Sequence, residues 1–141
     1  MKKGPIILID DDAEDRELTK EAIEATGYTN KIIMFSEPHQ AFSGLCDLIK
    51  ITTPFVILCD INLPKISGID LKQQIDRDKD LRAKSIPFIF LSTASNGHFV
   101  DKAYECCTVQ GFFTKETHFI GMINQLKLIF DYWSYARTPN N

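Results

Sequence analysis

The chain alternates short, wholly apolar runs with longer stretches in which apolar residues recur at helical spacing. Pro5-Ile6-Ile7-Leu8-Ile9, Lys31 to Phe35, Phe55-Val56-Ile57-Leu58-Cys59, Pro87-Phe88-Ile89-Phe90-Leu91 and Gly111-Phe112-Phe113-Thr114 have the length of strands. The first and third of these are apolar throughout, as expected for strands covered on both faces. Between them, residues 13–26 repeat Leu18, Ala22 and Ala25 on one side and stop at Gly27. Residues 38–51 align Ala41, Leu45, Leu48 and Ile49. A third helix is predicted over 69–78, and a fourth over 97–107 with Val100, Ala103, Tyr104 and Cys107 in register. The last, 119–136, carries Phe119, Ile123, Leu126, Phe130 and Trp133 as its stripe, and Thr138 to Asn141 reads as a frayed, disordered tail.

Strands alternating with helices define an α/β protein built on a parallel sheet. Five such units predict a flavodoxin-like, doubly wound, five-stranded sheet with helices on both faces, and analogy gives the order 2-1-3-4-5. Residues 1–141 fit one domain with its core at about 5–136.

In open α/β sheets ligands bind beyond the carboxyl ends of the strands. Strand 1 ends in Asp10-Asp11-Asp12, strand 3 in Asp60, strand 4 in Ser92-Thr93 and strand 5 in Lys115, whereas strand 2 ends in Phe35-Ser36. Taken singly, each polar end has an ordinary explanation: a helix N-cap, a turn residue, a solvated lysine. In the expected order strand 2 is an edge and the other four are neighbours. The polar ends therefore meet in one pocket.

Asp10, Asp11 and Asp60 against Lys115 leave that pocket with a local charge of −2. Clustered carboxylates resist ionisation unless the charge is relieved. An all-oxygen site with few protein ligands suits Mg²⁺, which shares itself with water and phosphate. No His or Cys stands there to favour zinc. A carboxylate can attack phosphorus to form an aspartyl phosphate, and such transfer needs chiefly positioning, a metal, a lysine and a hydroxyl donor.

Composition narrows the partners. The net charge of −3 argues against direct nucleic-acid binding. The absence of a long apolar run argues against a membrane span, and the short run after Met1-Lys2-Lys3-Gly4-Pro5 against a secretory signal. Cys46, Cys59, Cys106 and Cys107 form no CxxC pair and read as reduced thiols, with Cys59 in the core; the expected location is the cytoplasm. His39, His98 and His118 are scattered surface residues.

Leu8-Ile9-Asp10-Asp11-Asp12, Leu58-Cys59-Asp60-Ile61-Asn62-Leu63-Pro64 with Gly68, Phe90-Leu91-Ser92-Thr93-Ala94 and Gly111-Phe112-Phe113-Thr114-Lys115 together resemble the landmarks of stand-alone response-regulator receivers of two-component signalling. The likeness runs from about Ile6 to the last helix. It implies Asp60 as phosphoacceptor, and Asp10, Asp11, Asp60 and the Asn62 backbone carbonyl as Mg²⁺ ligands. It also implies Ser92 as switch hydroxyl, Lys115 as phosphate partner and Phe112 as switch aromatic. Asp12 would begin the first helix. The implied donor is a histidine kinase or phosphotransfer protein, with small phosphodonors as substitutes. The implied chemistry is Mg-dependent self-phosphorylation and autodephosphorylation, not external turnover.

Three residues depart from the pattern. Phe112 lacks the hydroxyl of the common tyrosine, Thr93 replaces a smaller residue beside Ser92, and Glu116 stands where proline is usual. That proline is typically cis, and a cis bond before a non-proline residue costs ~2.5–4 kcal/mol, so the loop after strand 5 is expected to differ. Two rival readings are a receiver-like interaction module working without phosphorylation, and an aspartyl-phosphate hydrolase. The hydrolases resemble D-x-D-x-[TV] after strand 1, which is not present here. Output would pass through the face of the fourth helix, fifth strand and last helix to an unnamed protein. The surplus apolar residues Ile120, Met122, Leu128, Ile129, Tyr132 and Tyr135 on that helix predict a partner or homodimer surface there, or a fold-back over the core.

Overall fold

The computed structural model describes residues 2–93 and 97–139; Ala94 of the third landmark and Asn140 and Asn141 of the expected tail lie outside the described residues. The elements in chain order are β1 (Ile6–Ile9), α1 (Ala13–Ala25), β2 (Ile32–Phe35), α2 (Pro38–Leu48), β3 (Val56–Cys59), α3 (Gly68–Arg77), α4 (Lys79–Lys84), β4 (Phe88–Ser92), α5 (Gly97–Cys106), β5 (Gly111–Thr114) and α6 (Phe119–Tyr135). All strand pairs are parallel and the order is β2-β1-β3-β4-β5, as expected.

The apolar runs are explained by two cores. Along β1, Ile7 and Ile9 enter one cluster while Ile6 and Leu8 enter the other. Ile57 and Cys59 of β3 and Phe88 and Phe90 of β4 join the first, and Val56, Leu58, Ile89 and Leu91 the second. The first cluster lies under α2, α3 and α5, contributed by Ala41, Leu45, Ile69, Leu71 and Ala103. The second lies under α1 and α6, contributed by Ala22, Ile23, Leu126, Ile129 and Phe130. Strands filled on both faces have no reason to alternate apolar with polar.

Four expectations about the helices need correction. α4 was not anticipated: Lys-Asp-Leu-Arg-Ala-Lys buries only Leu81, and Asp78 caps it through Asp80 and Leu81 N–H. The buried face of α1 is Thr19, Ala22 and Ile23; Leu18 and Ala25 point outward. Tyr104 on α5 and Phe119 on α6 are exposed, while Ile129, counted above as surplus, is core and Met122 packs beside it. α2 ends at Leu48, and the chain then turns through Ile51 N–H donating to Leu48 O, leaving Ile51 exposed. No helix among the described residues is long and apolar enough to cross a membrane.

Candidate functional site

The sheet's ladder carries on past the strand ends and so fixes the polar residues there. Asp10 N–H donates to Phe35 O, Asp60 N–H to Ile9 O, and Lys115 N–H to Ser92 O. Because Ile9 is paired with Cys59, the next residues, Asp10 and Asp60, emerge side by side; Ser92 closes the row from β4, opposite Thr114. Asp10 and Ser92 are fully buried and Asp60 nearly so, which at a sheet edge requires partners.

Those partners are present. Asp60 Oδ1 accepts from Ile61 N–H at 2.7 Å, from Asn62 N–H at 3.4 Å and from the Ser92 hydroxyl at 2.8 Å. Asp60 Oδ2 faces the Lys115 ammonium at 3.9 Å. Lys115 also donates to Asp10 Oδ2 at 2.8 Å, and Asp10 Oδ1 accepts from Asp12 N–H at 3.0 Å. Asp11 is exposed at the rim. Asp12 is the N-cap of α1, accepting from Glu14 and Asp15 N–H, so it begins the helix as expected.

The electrostatics follow from burial together with an excess of negative charge. Burial pushes the Asp10 carboxyl up, more than its hydrogen bond and attraction to Lys115 pull it down. Burial alone would lower Lys115, but its hydrogen bond to Asp10 and the charges of Asp10, Asp60 and Asp15 outweigh that and raise it. Both groups hold protons more tightly, but for different reasons: burial disfavours the Asp10 carboxylate, whereas the surrounding carboxylates favour the Lys115 ammonium. Behind them, Cys59 is fully buried and its thiol is pushed far up by burial and then by Asp60, as befits an inert core residue.

One oxygen from each of Asp10, Asp11 and Asp60 lies within 4.8 Å of the others. A donor set of carboxylates with excess negative charge and no nitrogen or sulfur fits a hard divalent cation. Phe112 is half-buried against the first core cluster, its ring centroid 5.7 Å from Phe90. Thr93 is exposed beside Ser92. The Lys115–Glu116 bond is trans, and Glu116 lies against Gly121 in the first turns of α6.

Three residues were missed in the sequence. Arg16 donates to Asp10 O at 2.8 Å and so pins the turn after β1. Asp15 Oδ2 stands 3.7 Å from Lys115. Lys72, buried inside α3, is neutralised by Asp76 at 2.7 Å. The i,i+4 spacing of that last pair was a readable signal; the first two depend on how α1 leaves the sheet.

A buried carboxylate beside a lysine, a hydroxyl and two further acids, at the carboxyl ends of a parallel sheet ordered 2-1-3-4-5, is the arrangement of a receiver-type signalling domain. The chain belongs to the response regulator receiver domain family, whose model matches residues 6–127. It is 27% identical to the response regulator Rcp1 of Synechocystis over 131 residues, covering 91% of this chain and 87% of Rcp1. The structure of the phosphorylated cyanobacterial phytochrome response regulator RcpA is 26% identical with a TM-score of 0.83, covering 99% of each chain. The Mn²⁺-bound form of Rcp1 is 26% identical with a TM-score of 0.79, covering 97% of this chain and 99% of that one.

Proposed function

We propose that this receiver is a phosphoacceptor switch that takes a phosphoryl group from a histidine kinase or phosphotransfer protein onto Asp60. The observation that carries the reading is the Asp60 carboxylate itself: Oδ1 is held by three donors while Oδ2 points at Lys115. In the transfer an Asp60 oxygen bonds to phosphorus as the P–N bond to the donor imidazole breaks. The imidazole leaves as a neutral ring once its nitrogen is protonated. Lys115 neutralises a phosphoryl oxygen, and the Ser92 hydroxyl moves its donated hydrogen bond from Asp60 to the phosphoryl group. Asp10, Asp11, Asp60 and the Asn62 backbone carbonyl would hold Mg²⁺, which supplies charge neutralisation for the phosphoryl oxygens. A phosphorylated RcpA and a Mn²⁺-bound Rcp1 support both elements. On this reading the chain is no enzyme with external turnover; it makes and loses its own phosphate.

The test is incubation with acetyl phosphate and Mg²⁺ followed by intact-mass measurement. One added phosphoryl group is expected; an unchanged mass would favour the module that works without phosphorylation.

Metal binding has its own signature in melting experiments. Mg²⁺ raises the melting temperature by mass action, because only the folded chain gathers the three carboxylates. Asp11→Ala abolishes that rise while leaving the metal-free protein at least as stable, since an excess negative charge is removed. Asp12→Ala keeps the rise but lowers metal-free stability by about 1 kcal/mol through loss of the N-cap. The opposite pairing of results would shift the metal set by one residue.

Output is proposed through α5, β5 and α6. Tyr104, Phe112, Phe113, Leu128 and Tyr132 line a shallow groove there, and Leu128 and Tyr132 are each 64% exposed. Ile120 and Tyr135 are also exposed, so of the apolar surplus of α6 only Met122 and Ile129 pack on the core and the other four residues face outward. A phosphate mimic such as beryllofluoride is expected to shift the monomer–dimer equilibrium in sedimentation, and Ser92→Ala to blunt the shift. A ligand moves this equilibrium only by its difference in affinity for the two states. An unchanged monomer at high concentration would leave a different protein as the occupant of the groove.

A further inference from the structure

Lys115 is faced by one carboxylate more than the phosphoacceptor reading uses. Asp10 and Asp60 both have work in that reading. Asp15 Oδ2, at 3.7 Å from the ammonium, does not. Asp15 sits in the first turn of α1, where its N–H donates to Asp12 Oδ1 at 3.0 Å, so its backbone is fixed and its side chain reaches back over the pocket. The side chain is 43% exposed whereas that of Lys115 is 6% exposed, which places Asp15 between the pocket and solvent. The helix itself does not require it there. An acid anywhere in a first turn complements the helix dipole, and Glu14 already provides one.

We propose that Asp15 is a specificity-determining residue: its charge, standing over Lys115 at the pocket mouth, selects against small, highly charged phosphodonors. The inference rests on Asp60 being the phosphoacceptor. An arriving phosphoryl group needs Lys115, so Asp15 competes with it for the ammonium and repels it at the same time. Asp10, Asp11 and Asp60 form the cation-binding set and have their charge offset there; Asp15 lies outside that set. Repulsion scales with the charge of the donor. Acetyl phosphate carries two negative charges at neutral pH, whereas phosphoramidate carries a net charge of one because its nitrogen is protonated. Transfer from the first breaks a P–O bond and releases acetate; transfer from the second breaks the P–N bond and releases ammonia. In both, the new bond is from an Asp60 oxygen to phosphorus. A protein donor brings contact surface that offsets the repulsion, so Asp15 insulates the switch from small acyl phosphates while admitting its protein partner.

The test is a time course of intact-mass labelling of the whole chain with Mg²⁺, over a range of each donor. Asp15→Asn should lower the apparent KM for acetyl phosphate by roughly three- to tenfold, the scale of one partly screened charge. The change should be smaller for phosphoramidate, smaller for both at high salt, and weaker in the plateau rate than in KM. Asp15→Glu should behave as the wild type, and Glu14→Gln, which loses the same helix charge away from Lys115, should not reproduce the effect. An unchanged KM, an equal change for both donors, or the same effect from Glu14→Gln would overturn the inference. A wild-type chain labelled by neither donor would instead overturn the phosphoacceptor reading, and the selector with it.

Discussion

Asp60→Asn is expected to take up no phosphoryl group from acetyl phosphate and Mg²⁺, in a protein that remains folded. The substitution is nearly isosteric, so the amide oxygen still accepts from Ile61 N–H and from the Ser92 hydroxyl, whose donor distances to Oδ1 are 2.7 and 2.8 Å. What disappears is the proposed nucleophile: an uncharged amide oxygen is a poor attacking group, and the amide nitrogen's lone pair is tied up in resonance. A loss of at least about a thousandfold, equivalent to ~4 kcal/mol in the barrier, is expected. Thermal stability without metal should be unchanged or higher, because one of three crowded carboxylates is gone. Intact mass and circular-dichroism melting read the two effects separately. Labelling of the variant at the wild-type level would move the acceptor to another residue.

Gly68→Ala should damage both stability and phosphorylation, although residue 68 carries no chemistry. A Cβ at this position would lie 2.2 Å from the Asp60 carbonyl oxygen and 3.2 Å from Cys59 Sγ. The first of these is backbone and has nowhere to go, because Gly68 N–H is bonded to Ile61 O at 2.8 Å on the same turn. The start of α3 is held just as firmly by the reciprocal Ser67–Asp70 cap. Either α3 or the turn bearing Asp60 must shift, at a cost of about 1–3 kcal/mol. A displaced Asp60 also loses its alignment with Ser92 and Lys115, so labelling should slow by at least about tenfold, as misplacement of reacting groups commonly does. Gly97→Ala is the control. Its Cβ would meet no atom of the described residues within 4 Å, and it should change stability by no more than about 0.5 kcal/mol. Equal melting and labelling for Gly68→Ala and wild type would refute the crowding at this turn.

The strand ends were legible because the residue type changes abruptly there. Apolar runs stop at Asp10, Asp60 and Ser92, and the strand order then decides which ends are neighbours. The structure brings Asp10, Asp60, Ser92 and Lys115 into contact and Asp11 to within reach. Helix faces were less legible. In α1 the small residues Ala22 and Ala25 gave no indication of which side is buried, and the choice of Leu18 rotated the stripe away from Thr19 and Ile23. α4 had no stripe to read, since a single buried Leu81 has no periodicity. Asp15 and Arg16 look like ordinary first-turn charges until the turn after β1 directs one toward Lys115 and the other onto Asp10 O. Their roles depend on tertiary geometry that no local pattern encodes.

The chain has a single tryptophan, Trp133, and the fold puts it at the groove proposed above as the output surface. Its indole packs on the second core cluster beside Phe113 of β5, with the Tyr132 ring 5.0 Å away, on the margin of the output groove. Cys59, and not an indole, precedes Asp60. If output runs through α6 as proposed, tryptophan emission of the unlabelled protein should be insensitive to cation loading and should respond to rearrangement of α6. Stopped-flow emission can then separate arrival of the phosphoryl group from movement of the surface that passes the message on, with no dye attached.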